Sequence, residues 1–155
     1  MIALGCDHGG YNLIVAIKKY LDEKGIEYKD FGTYSTDSVD YPIYAYKVAT
    51  AVTSGECDCG ILCCGTGIGI SIAANKVKGI RAAVVNNAFG AEMTRRHNHA
   101  NILCMGGRVT TEDEAVLCLQ NLFIFMDYVS YCYSDFYEER QYDVNLLNET
   151  QEFGG

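Results

Sequence analysis

Apolar residues along this chain fall into two kinds of segment that alternate. One kind is short and almost continuously apolar: Ile2–Gly5, Gly60–Cys64, Ile80–Val85 and Ile102–Met105. Runs of that length suit strands buried on both faces. Ile26–Phe31 reads as a further strand, with Ile26, Tyr28 and Asp30 alternating against Glu27, Lys29 and Phe31. The other kind repeats at helical spacing. Leu13, Ile14, Ile17 and Leu21 predict a helix that opens at Asn12 or a neighbour and runs to Glu23, with Lys18, Lys19, Asp22 and Glu23 toward solvent. Gly25 stops it. Pro42 opens a second helix, where its missing N–H is harmless, and Ile43, Tyr44, Val48 and Val52 carry it to Ser54. Ile70–Lys76, Ala88–Arg96 and the strongly apolar Glu112–Phe125 are the remaining helical stretches. The tail, Met126–Gly155, is acidic and rich in tyrosine and reads as one more helix and a loose end.

Strands that alternate with helices predict a parallel sheet covered on both faces. No internal repeat or linker breaks the pattern, so residues 1–155 read as one domain. In such sheets ligands sit beyond the carboxyl ends of the strands. That rule gathers the polar residues. Asp7 and His8 follow strand one, Cys64 ends strand three, and Gly106, Gly107 and Arg108 end strand five. His97 and Asn98, in the polar break His97–Asn101, lie at the other end of strand five. They cannot reach the same pocket in one subunit, but they could reach a neighbour's pocket in a dimer.

The stretch Asp58–Lys76 carries the chemistry. Gly65, Thr66, Gly67, Ile68 and Gly69 turn a strand into a helix and leave a row of N–H groups that attract negative charge. Cys64 stands at the lip of this cradle. A dinucleotide fingerprint would need glycine where Ile70 stands, and no Gly-Lys-Ser/Thr phosphate loop is present. A thiolate base beside oriented N–H groups suits proton abstraction next to a carbonyl, with Gly65, Gly67 and Gly69 holding the enediolate oxygen. Thr66 is placed to bond the enediol oxygens, and a histidine suits proton transfer to sugar hydroxyls during ring opening. These parts fit an aldose–ketose isomerase. They fit a thiol acyl-transfer enzyme as well, and a non-catalytic domain binding an anionic sugar or nucleotide is a third reading.

Composition narrows the partners. Net charge is −8 with no basic cluster, which argues against nucleic acid and anionic membranes. No apolar run is long enough to span a bilayer, and Met1 leads straight into a strand, so the cytoplasm is the expected location. The eight cysteines sit in apolar runs and read as reduced thiols. Cys57, Cys59, Cys63 and Cys64 lack the paired spacing of a structural zinc site, so no metal and no cofactor is expected.

Taken together, Gly5-Cys6-Asp7-His8-Gly9, Asp30-Phe31-Gly32-Thr33, Asp40-Tyr41-Pro42, Cys64–Lys76, Gly79-Ile80-Arg81-Ala82, Arg96-His97-Asn98 and Gly106-Gly107-Arg108-Val109 resemble ribose-5-phosphate isomerase type B. That group also holds the subunits of galactose-6-phosphate isomerase. The resemblance covers Ile2 to Phe125. It implies a Rossmann-like three-layer α/β/α sandwich with a five-stranded parallel sheet. It also implies a homodimer, or a dimer of dimers, with shared active sites and metal-free isomerisation of a sugar phosphate through a cis-enediol. By the same resemblance Cys64 is the base and Thr66 with the glycine N–H groups the enediolate stabiliser. His97 of the other subunit is the ring-opening residue, and Asp7 binds sugar hydroxyls. Tyr41, Asn98 and His8 line the pocket, and Arg108 and Arg140 are candidate phosphate ligands. The tail departs from the family. Glu138-Glu139-Arg140-Gln141 stands where Gly-Gly-Arg-His is usual, and Val144 replaces a second arginine. One forked phosphate contact is thereby missing. A galactose-6-phosphate isomerase subunit, which works only with a different second subunit, is the alternative implied.

Overall fold

The computed structural model describes residues 1–121. Five strands and the helices between them alternate: β1 (Ile2–Cys6), α1 (Tyr11–Lys24), β2 (Tyr28–Asp30), α2 (Tyr41–Thr53), β3 (Cys59–Cys64), α3 (Ile68–Ala74), β4 (Ala82–Val84), α4 (Ala88–Asn98) and β5 (Ile102–Gly106). A further helix, α5, begins at residue 112 and is described to residue 121. The expected helix-and-tail after Met126 falls outside the described residues.

All pairings are parallel, in the order β2-β1-β3-β5-β4. The chain first steps from β1 outward to β2 and then returns to the other side of β1 for β3. The topological switch point therefore lies between β1 and β3, and in sheets of this kind ligands sit beyond the carboxyl ends of the strands at that point. Right-handed crossovers put α1 and α4 on one face and α2 and α3 on the other. This is the expected three-layer α/β/α sandwich.

The apolar runs end up where their composition demands. β1, β3 and β5 are buried along their whole lengths. The buried residues of α1 are Leu13, Ile14, Ile17 and Leu21, the four apolar positions read from its periodicity. Alternation in β3 splits its side chains. Leu62 and Cys64 join Ala45, Val48, Ala49 and Ile70 in the core beneath α2 and α3. Cys63 turns to the other face, under the start of α1.

The boundaries differ from the expected ones at several places, α3 among them, which starts and ends two residues earlier than expected. β2 is only Tyr28–Asp30, because Ile26 spends its N–H on the Leu21 carbonyl to close the end of α1. β4 is shortened in the same way, with Ile80 donating to Val77. His97 and Asn98 are not in a polar break but form the last turn of α4. The break itself is His99, whose φ of 54° ends the helix in the left-handed region.

Candidate active site

Three turns meet at the carboxyl ends of β1, β3 and β5. The Asp7 N–H donates to the Cys63 carbonyl at 3.1 Å. The Gly107 N–H donates to the Cys64 carbonyl at 2.8 Å, and the Arg108 N–H to the Gly65 carbonyl at 3.0 Å. A Cβ on Gly107 would lie 2.4 Å from the Gly9 carbonyl oxygen, and one on Gly9 would lie 2.9 Å from the Gly65 nitrogen. Main chain thus touches main chain on both sides of the β3 turn. This is why glycine recurs after every one of the three strands.

Cys64 is the last residue of β3 and is 4% exposed. Its Sγ accepts the Gly67 N–H at 3.1 Å. Gly67 has a φ of 78°, a conformation that a side chain would strain, and it caps α3. The turn expected to cradle an anion therefore also holds the thiol, and the Gly67 N–H is already engaged by sulfur. In the first turn of α3, Gly69 and Ile70 have no intrahelical acceptor for their N–H groups, so the donors aimed past the end of the helix include them. Thr66 is exposed, and its Oγ1 accepts the Ile68 N–H at 3.3 Å.

Burial pushes the Cys6 thiol up to about 12 and that of Cys59 to about 11. It also raises Cys63 and Cys104 well out of the range in which a thiol ionises at neutral pH. Those side chains serve as small apolar core residues. All seven cysteines of the described residues are free thiols.

Around this centre stand further expected residues. Asp7 is buried, and its Oδ1 accepts the Gly10 N–H at 3.1 Å, pinning the start of α1. His8 Nδ1 accepts the Val39 N–H at 3.2 Å. That bond leaves the ring proton of a neutral His8 on Nε2, as a donor away from the Val39 loop. The Arg108 guanidinium rests against the β3 turn, with Nη1 3.4 Å from a Cβ placed on Gly65. Tyr41 opens α2 and lays its ring over Gly69, with its hydroxyl 3.2 Å from a Cβ placed there. The fold thus brings together Asp7, His8, Tyr41, Cys64, Gly65, Thr66, Gly67, Gly69 and Arg108.

It does not bring His97 and Asn98 to them. β3 and β5 run in register from Gly60 beside Ile102 to Cys64 beside Gly106. His97 and Asn98 precede β5, so they sit at the amino end of the sheet, about 13 Å of strand away from Cys64. Arg140 lies outside the described residues. The sequence reading passed over Asn75, Arg81 and Asn101, although the first two lie inside stretches that carried the resemblance. Asn75 brackets Ala82 with both ends of its amide, at 2.8 and 2.9 Å. Among the described residues no group of three or more metal-ligating side chains is present, and no helix is long and apolar enough to cross a membrane.

At the switch point a held thiol stands at a helix N-terminus, with a carboxylate, a histidine and an arginine around it. Comparison with known proteins identifies the family. The family model for ribose/galactose isomerases matches residues 2–132. Ribose-5-phosphate isomerase B of Escherichia coli is 54% identical over 108 residues, 70% of this chain and 72% of that protein. The solved ribose-5-phosphate isomerase B of Clostridium thermocellum is 56% identical and superposes with a TM-score of 0.77, covering 79% of this chain and 82% of the other. That of Mycoplasma genitalium, solved with bound ribulose-5-phosphate, is 38% identical with a TM-score of 0.74, covering 79% and 82%. The chain belongs to the ribose/galactose isomerase family and is an enzyme of the sugar-phosphate isomerase class.

Proposed function

We propose that the protein interconverts ribose 5-phosphate and ribulose 5-phosphate through a cis-enediol, as a homodimer whose sites each draw on both chains. The observation that carries this reading is the Cys64 sulfur, held at 3.1 Å by the Gly67 N–H at the N-terminus of α3. In the open-chain aldose, the Cys64 thiolate takes the proton from C2. The C2–H electrons form the C1–C2 double bond, and the C1 carbonyl oxygen becomes the enediolate oxygen. Backbone N–H groups of the β3 turn and of α3 face the developing charge, with Thr66 beside them. A proton passes from the C2 hydroxyl to the C1 oxygen; the thiol then returns its proton to C1, the C1–C2 double-bond electrons forming the new C–H bond, and the C2 oxygen becomes the ketone as the thiolate is restored. Asp7 accepts hydrogen bonds from sugar hydroxyls. Tyr41 and His8 line the pocket, and Arg108 supplies a cation beside the turn for the phosphate.

Ring opening needs a group that exchanges protons with the anomeric hydroxyl and the ring oxygen, and His97 suits that task. Its distance from Cys64 within one chain supports the reading that it comes from a partner, with Asn98 beside it. An apolar surface next to the glycine turn supports such pairing. α3 exposes Ile68 and Ile72 one turn apart, and α2 beside it exposes Ile43 and Tyr46. A reducing cytoplasm suits the free thiols.

The test is an assay of the purified single protein with ribose 5-phosphate, following the ketose formed. Conversion without any second protein is the expected result. Inactivity alone, relieved only by a different subunit, would replace this reading with that of a heteromeric galactose-6-phosphate isomerase.

A further inference from the structure

His97 and Asn98 are exposed residues at the end of a helix, a place where backbone carbonyls lack intrahelical partners and the last turn tends to fray. Here the end is tied. The Arg81 Nε–H donates to the Asn98 carbonyl at 2.6 Å, and an Arg95 Nη1–H donates to the Ala100 carbonyl at 3.1 Å. A cation is well placed there, because the carboxyl end of a helix carries partial negative charge.

Arg81 is itself clamped. Its N–H donates to Asn101 Oδ1 at 2.8 Å, and its carbonyl accepts the Asn101 N–H at 3.1 Å. The Asn101 amide also donates to the Gly79 carbonyl at 2.9 Å. The next residue, Ala82, is gripped on both its N–H and its carbonyl by Asn75. Asn75 caps α3, the helix that begins at the Cys64 turn. A continuous hydrogen-bonded strut therefore runs from the carboxyl end of α3 through Arg81 to the last turn of α4. A cleft of about 390 Å³ lies along it, lined by Asn75, Arg81, Thr94 and Asn98 among others.

We propose that Arg81 is a positioning residue, whose guanidinium fixes the last turn of α4 so that His97 meets the partner's substrate in a productive geometry. This rests on the reading of His97 as the ring-opening residue. A group displaced by about 1 Å can cost on the order of a hundredfold in rate, so a single short bond to the helix end is enough to matter. A helix cap that merely added stability would leave the reaction untouched, and this distinguishes the two roles.

The experiment compares two reactions of the same enzyme. Isomerisation of ribose 5-phosphate begins from a ring. Exchange of the C1 protons of ribulose 5-phosphate with solvent deuterium does not, because that ketose has no free hydroxyl with which to close a furanose. Both use Cys64, but only the first uses His97. Arg81→Ala should lower turnover of ribose 5-phosphate about tenfold, with the Michaelis constant changed less than about threefold, and leave the exchange rate near wild type. His97→Ala should show the same imbalance more strongly. Arg81→Lys, which keeps the charge at the helix end without the planar fork, should retain a weaker form of it. Proportional loss of both reactions in Arg81→Ala, or wild-type rates with only a lower melting temperature, would overturn the proposal. So would full activity of Arg81→Lys. If His97→Ala is selective and Arg81→Ala is not, the Arg81 proposal alone fails. If His97→Ala slows both reactions equally, the ring-opening reading itself fails.

Discussion

The two ends of this sheet carry the two halves of the proposed site, and they are built on different principles. At the carboxyl end, main chain packs on main chain. Three turns interlock through glycines, and the Cys64 thiol is held by a backbone N–H rather than by another side chain. At the amino end, main chain is held by side chains: Asn75, Asn101, Arg81 and Arg95 reach across to carbonyls and N–H groups of neighbouring elements. A backbone cradle offers fixed donors at a fixed spacing, which suits an oxyanion that appears at one place in every turnover. A tether of long side chains fixes one helix end without closing the surface around it. That suits residues that must project toward a second molecule.

Neighbouring cysteines in β3 test this contrast most sharply. Cys64 and Cys63 are adjacent, similarly buried and face opposite layers. Cys64→Ala should lower turnover by roughly a thousandfold or more with little change in the Michaelis constant, since proton transfer belongs to the transition state. Cys63→Ala leaves a small cavity beneath α1 and should cost on the order of 1 kcal/mol of stability, with turnover within about threefold of wild type. Steady-state kinetics and urea denaturation of both variants check this. Equal loss of turnover in the two would make Cys64 a packing residue.

The separation of the two ends predicts complementation. Homodimers carrying His97→Ala and homodimers carrying Cys64→Ala should each be inactive toward ribose 5-phosphate. In a heterodimer of the two, one composite site keeps both side chains and the other has neither. Verified heterodimers made by co-expression should therefore recover about half of wild-type turnover per dimer, as twofold symmetry requires. Absence of recovery would place both residues on one chain's substrate, against the strand register that sets them apart.

How much of this was legible in the sequence follows from the same contrast. Apolar runs, helical spacing and the glycine turn marked each strand and helix of the described residues, because buried runs and apolar stripes are direct records of burial. The switch point was not legible, since nothing in a strand's own residues says which neighbour it pairs with. The carboxyl-end cradle could be read because glycine is a visible mark of close backbone approach. The amino-end tethers could not. Asn75, Asn101 and Arg81 look like ordinary solvated residues until the fold brings the start of β4 to the carboxyl ends of α3 and α4. The last turn of α4 was misread for a related reason. His97 and Asn98 are polar and read as a break after Arg96, but basic residues such as Arg95 and Arg96 at a helix's carboxyl end favour its continuation.

The smallest expected effect concerns stability at the cradle. Gly10 begins the approach of α1 to β3, and a Cβ there would sit 2.3 Å from the Cys63 carbonyl carbon. The obstacle is backbone in the centre of the sheet, which cannot rotate away as a side chain could. Gly25, at the far end of the same helix, has a φ of 65° and nothing within 4 Å of its would-be Cβ. Its replacement meets only the conformational penalty of the left-handed region, about 1 kcal/mol. Gly10→Ala should cost about 3 kcal/mol, the upper end of ordinary overpacking, and should also lower turnover, because Asp7 is bonded to the Gly10 N–H. Gly25→Ala should leave turnover unchanged. Chemical denaturation with activity measured on the same samples separates the two. If both substitutions cost the same, the cradle yields to an added methyl group as easily as a surface turn does. Tight backbone contact would then not be what holds the Cys64 turn in place.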